Sequence, residues 1–149
     1  MGLFSKIPID KKQVEQAIAQ LEQQTSAELR VYVENKMPKN AQHCAGIERA
    51  WQLFDELDMH NTQQRNGVLI YVGFKQHQCA IVGDVGIHQY VGDHFWQQQC
   101  ELMISHFRQK NYTEGITVAI GNISAELTRH FPIQPNDQNE LDNEVIIND

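Results

Sequence analysis

Apolar residues along the chain follow two periods, and the switches between them outline the elements. Val14, Ala17, Ile18 and Leu21 recur at helical spacing behind Asp10, a residue type that caps helix N-termini, and Thr25-Ser26 closes this helix. Glu28 to Glu34 alternates instead, with Leu29, Val31 and Val33 on one face and Arg30, Tyr32 and Glu34 on the other, as a strand does. A Pro38-containing loop leads to a second helix over about 45–59, with Ile47, Ala50, Trp51, Phe54 and Leu57 expected on its core side. Val68 to Val72 is almost continuously apolar, and Gln78 to Gly83 forms a second short run behind the break at Lys75-Gln-His77. The pair reads as a β-hairpin whose first strand is central. After Val85-Gly86-Ile87 a short turn-like piece leads to Gly92, and Asp93 reads as the cap of a long helix that turns Phe95, Trp96, Cys100, Met103 and Phe107 inward. Thr113 is expected to cap a last helix striped by Ile116, Ala119, Ile120, Ile123 and Leu127.

The order αβαββαα predicts an α/β fold, a three-layer α/β/α sandwich around a small mixed sheet. Strand 28–34 should run parallel to strand 66–74 through a right-handed crossover, with 78–83 antiparallel on the other side. Residues 1–132 form the expected domain. Residues 133–149 read as an acidic tail that adds little to the core, except that Leu141 and Val145-Ile-Ile147 are candidates to dock on a sheet edge or helix.

This topology gathers chemistry at one edge of the sheet. Ser26, Glu28, Arg65, Asn66, Asp84, Gly86 and Asp93 come from separate segments and should share a rim. Glu28, Asp84 and Asp93 with the amide oxygen of Asn66 suit a hard cation such as calcium, with Ser26, Arg65 and Gly86 in support. The simpler reading is an ordinary Arg65 salt bridge and an ordinary Asp93 helix cap.

Composition narrows the classes. The net charge of −7 argues against a nucleic-acid surface, which needs a basic face. The N-terminus has no apolar signal region and no stretch is long enough to span a bilayer, so a cytoplasmic protein without membrane insertion, acting as a monomer, is expected. Cys44, Cys79 and Cys100 lack metal-knuckle spacing and read as buried thiols in a reducing compartment. Seven histidines are scattered without paired ligand spacing, though His60 and His88 border the rim. Asp137, Asn139 and Asp142 lack the glycine and final glutamate of an EF-hand, and no phosphate-binding loop or nucleophile elbow is present.

Thr25-Ser-Ala-Glu-Leu-Arg-Val-Tyr-Val-Glu34, Met59-His-Asn-Thr-Gln-Gln-Arg-Asn-Gly-Val-Leu-Ile-Tyr-Val72 and Ala80-Ile-Val-Gly-Asp-Val-Gly-Ile87 together resemble the TPM domain family. His130-Phe-Pro132 and Asn139-Glu-Leu141 are similar to a short, soluble bacterial branch of it, whose usual proline is replaced here by Asp142. The resemblance implies an α/β/α sandwich, calcium binding at the sheet edge in some members and acid phosphatase activity described for a plant member. It implies site positions at Glu28, Arg65, Asn66, Asp84 and Asp93. Three functions follow as expectations: a calcium-binding interaction or maintenance module with an unidentified protein partner, a metal-assisted phosphatase, or a structural scaffold. The first is favoured, because only generic carboxylates are available as catalytic groups.

Overall fold

The computed structural model describes residues 7–41, 45–134 and 145–148. In chain order the elements are α1 (Lys11–Glu22), β1 (Glu28–Glu34), α2 (Gly46–Glu56), β2 (Gly67–Gly73), β3 (Gln78–Gly83), α3 (Val85–Arg108), α4 (Tyr112–His130) and β4 (Ile146–Asn148). The sheet has the order β3-β2-β1-β4. β1 runs parallel to β2, with Val31 opposite Ile70, and β3 runs antiparallel to β2, with Ile81 opposite Ile70. These are the expected pairings, and β2, between β3 and β1 and covered on both faces, is buried at all seven of its residues.

The two faces of the sheet are covered unequally. Leu29, Val31, Val33, Val68, Ile70 and Ile81 pack under α1, α3 and α4, against Val14, Ile18, Met103, Ile116, Ile120 and Ile123. On the other face Leu69, Tyr71, Ala80 and Val82 meet Ala50, Leu53 and Phe54 of α2, with Met59 behind them. Asp10 caps α1 as expected, accepting from the Gln13 amide at 3.2 Å. Its own amide donates to Thr113 Oγ1 at 2.9 Å, so Thr113 ties α1 to α4, and Asn111 occupies the cap position of α4 instead.

Three sequence expectations are corrected. The buried face of α2 is Gly46, Arg49, Ala50, Leu53 and Phe54, while Ile47 and Trp51 are 54% and 39% exposed. The segment after Asp84 is helical from Val85, and its break is Gly92 (φ 74°), a conformation that glycine adopts without steric cost. Cys79 and Cys100 are half-buried rather than sealed in the core; Cys44 lies outside the described residues, as do His43 and the stretch with Asp137, Asn139, Leu141 and Asp142.

A fourth strand joins the three expected. β4 pairs parallel with β1, placing Ile146 opposite Tyr32, and Val145 is fully buried. Val145-Ile-Ile147 thus sits at a sheet edge, one of the two placements its apolar character suggests. Deleting residues 134–149 should leave a folded domain that is weaker by about 2–4 kcal/mol, since burial of one valine alone is worth roughly 1.5–3 kcal/mol. Urea unfolding of the truncated chain measures this. An unchanged midpoint would mean that β4 adds nothing to stability.

Candidate functional site

The register delivers the rim residues to one end of the sheet. Glu28 lies opposite Gly67, and the Asp84 amide donates to the Gly67 carbonyl at 2.9 Å. Asn66 and Arg65 precede Gly67 in a tight turn closed by Arg65 N to Thr62 O (3.2 Å) and Asn66 N to Thr62 Oγ1 (3.3 Å). Arg65 takes a left-handed backbone (φ 52°), uncommon for a side chain of its size. Gly86 packs directly on this turn, its amide donating to Arg65 O at 2.7 Å.

Asp84 is the hub. Its side chain is 2% exposed, and it accepts from Arg65 Nε to Oδ2 (2.7 Å), Arg65 Nη2 to Oδ1 (3.0 Å) and the Val85 amide to Oδ1 (2.8 Å). The first two make a bidentate guanidinium–carboxylate pair, and the third caps α3. The hydrogen bond to Asp84 and its charge hold the Arg65 guanidinium above its ordinary value. His60 completes the cluster, with Nδ1 3.1 Å from Arg65 Nη2 and 3.4 Å from Asp84 Oδ2, and Nε2 2.8 Å from Asp55 Oδ1. Donation from Nε2 to Asp55 leaves Nδ1 as the acceptor for Arg65.

Two oxygens at this end of the sheet are buried with no hydrogen-bond partner, Asn66 Oδ1 and Ser26 Oγ. The Asn66 residue is 1% exposed. Such orphaned acceptors are uncommon in folded proteins, and each calls for an explanation. The Ser26 amide, by contrast, is satisfied by Phe131 O at 2.9 Å.

The rim therefore brings together Ser26, Glu28, Arg65, Asn66, Asp84 and Gly86, but not Asp93. α3 starts at Val85, so Asp93 lies eight residues beyond that start, on the far side of the Gly92 break. Its carboxylate is 90% exposed and sits 3.6 Å from His88 Nε2. There it lines a groove of about 210 Å³ between α2 and α3, with Ile47, Trp51, Cys79, Trp96 and Cys100. Among the described residues, no group of three or more acidic, histidine or cysteine side chains is placed to hold a metal ion. A ligand set resting on Glu28, Asp84 and Asp93 together is thus not assembled. His88 belongs to the groove as well, accepting from Trp96 Nε1 at 3.1 Å.

The opposite end of the sheet holds a second polar cluster that the strand alternation did not flag. Glu34 is fully buried and accepts from Arg49 Nε (2.9 Å), Arg49 Nη2 (3.0 Å) and the Tyr71 hydroxyl (2.6 Å). Burial pushes the Tyr71 phenol up, and the Glu34 carboxylate adds to that. The signal available was that Glu34 shares a face with Tyr32, the face that α2 covers.

No described helix is long and apolar enough to cross a membrane. The NMR structure of the BA42 protein from the psychrophilic bacterium Bizionia argentinensis is similar over 98% of both chains, with 31% identity and a TM-score of 0.83. The solution structure of the N-terminal domain of a P. gingivalis protein shares the fold at 18% identity, with a TM-score of 0.66 over 85% of this chain and 82% of that one. No curated protein matches the chain. The sequence profile of the TPM domain matches residues 2–126, and with the shared architecture this shows that the chain belongs to the TPM domain family.

Proposed function

We propose that the rim is a weak divalent-cation site, suited to calcium, and that the chain works as a cation-responsive interaction module whose partner is a protein. The observation that carries this reading is the buried, unpartnered amide oxygen of Asn66, at the end of the sheet to which Asp84 also belongs. A hard cation is a natural partner for an uncharged amide oxygen, and carboxylates complete its coordination. Asn66, Asp84 and Ser26 would hold it, with Glu28 as the further carboxylate at the same end of β1.

Arg65 takes a different role from support. Its guanidinium already occupies both Asp84 oxygens, so a metal ion must displace it, and the 47% exposure of its side chain gives it room to leave. This competition, with one fewer carboxylate than expected, keeps the affinity low, about 10⁻⁴ to 10⁻³ M. Phosphomonoester hydrolysis would use the same cation with Arg65 on the phosphoryl group. No observation at the rim favours it over cation binding alone.

Opposite effects are expected from two substitutions. Asp84→Asn should weaken calcium binding by roughly tenfold while retaining a capping oxygen, at about 1–2 kcal/mol of stability for the lost charge-assisted bonds. Arg65→Gln removes the competing cation and should tighten binding several-fold. Amide shifts of residues 26–28, 65–67 and 84–87 during a calcium titration report both. If they stay unmoved at about 10 mM calcium, a concentration well above the expected range, the cation reading is wrong.

A further inference from the structure

Cys79 on β3 and Cys100 on α3 are both free thiols, and their Sγ atoms lie 3.3 Å apart. The cation reading makes no use of them. A disulfide bond is about 2.05 Å long, so the gap to be closed is only about 1.3 Å, within reach of small side-chain rotations. Both residues line the groove between α2 and α3 and both are half-buried, so a small molecule in the groove stands close to the pair.

The two thiols are unequal. The hydrogen bond from Cys79 holds the Cys100 thiol below its ordinary value, against burial and the nearby Glu101 charge. The same contact pushes the Cys79 thiol up, and burial adds to it. When the pair loses a proton, Cys100 is the side that carries the charge, with the Cys79 S–H donating to it, and the thiolate is the nucleophilic form of a cysteine. In the dithiol form the Cys100 S–H donates to Cys79 O at 3.6 Å, which keeps it facing β3.

We propose that Cys79 and Cys100 form a redox-active pair that a hydroperoxide oxidises to a disulfide, with Cys100 as the attacking residue and Cys79 as the resolving one. The Cys100 thiolate attacks one peroxide oxygen, so an S–O bond forms and the O–O bond breaks. The departing oxygen takes up a proton and leaves as water or an alcohol, and Cys100 becomes a sulfenic acid. Cys79 sulfur then attacks Cys100 sulfur. The S–S bond forms, the S–O bond breaks, and the hydroxide leaves as water with the Cys79 proton. In total the two thiols give up two electrons to the peroxide, and a dithiol reductant returns them. The bond would staple edge strand β3 to α3 across the Gly92 break and join two walls of the groove.

The test uses the full chain, reduced, freed of reductant, treated with one equivalent of hydrogen peroxide and then alkylated. The expected product is lighter by about 2 Da before alkylation, carries two fewer alkyl groups, and yields a linked Cys79–Cys100 peptide that dithiothreitol releases. Its melting temperature should rise by roughly 5–10 °C, as expected when a loop of this length is closed. Cys44→Ser should behave as the parent. Cys79→Ser should accumulate a sulfenic acid on Cys100 that dimedone traps, and Cys100→Ser should react several-fold more slowly. A disulfide to Cys44, a gain of about 32 Da on one cysteine of the parent chain, or two thiols still open to alkylation would each overturn the proposal. All three are read on the unaltered protein, so they stand even if a variant fails to fold.

Discussion

Replacing Arg49 by methionine should destabilise the domain by about 3–5 kcal/mol, the usual consequence of stripping the partner from a buried charge. Glu34 is fully buried at the end of β1, and two of its three hydrogen bonds come from the Arg49 guanidinium. Methionine fills much of the arginine volume, so packing on α2 is largely kept and the loss reports the charge. The Tyr71 hydroxyl remains as a single donor, too little to solvate a carboxylate. Replacing the whole cluster (Glu34→Leu, Arg49→Met, Tyr71→Phe) should recover most of the loss, since apolar groups of similar volume commonly match a buried ion pair. Chemical denaturation of the single and triple variants tests this. A triple variant no more stable than Arg49→Met would show that packing, rather than unpaired charge, sets the cost. Tyr71 adds a pH signature. Its phenol is raised above the unfolded value of about 10, so the folded state holds this proton more tightly. The associated stability is complete below about pH 10 and is lost as pH climbs beyond it, a decline that Tyr71→Phe should reduce.

The same cluster explains where the sequence was legible. Helical period and alternation marked β1 to the residue, and the hairpin followed from two apolar runs and a polar break. These signals are local and come from burial on a defined face. The face of α2 is not legible in its own sequence, because Ile47 and Trp51 look like core residues, whereas Arg49 does not. What rotates the helix is long-range: Glu34, fifteen positions earlier, needs a cation inside. A periodicity within one helix carries no record of that demand. The start of α3 was missed for a different reason. Gly86 and Gly92 break the helical pattern, and Asp93 offered a cap as plausible as Asp84, the one used. That single displacement removed Asp93 from the rim, while Ser26, Glu28, Arg65, Asn66 and Asp84 arrived there because strand direction alone fixes which ends meet.

Gly86→Ala should cost about 2–3 kcal/mol and lower the melting temperature by roughly 5–10 °C, although alanine is the better helix former. A Cβ at this position would stand 2.1 Å from Gln64 O and 2.4 Å from Arg65 O. Both obstacles are backbone carbonyls of the turn that carries Arg65 and Asn66, so no side-chain rotation relieves them. Either the turn moves or α3 does, and the Gly86 N–Arg65 O hydrogen bond is lost in both cases. The gain in helix propensity, at most ~1 kcal/mol, does not offset an overlap of this size. Gly121→Ala is the matched control, since it lies on α4 with nothing within 4 Å of its added methyl group, and there the propensity gain should appear as a small stabilisation. Because the turn holds Asn66, one of the proposed ligands, Gly86→Ala should also shift the amide signals of residues 65–67 in the apo protein. If Gly86→Ala matches Gly121→Ala in melting temperature, the contact between α3 and this turn is too yielding to fix the turn against the start of α3.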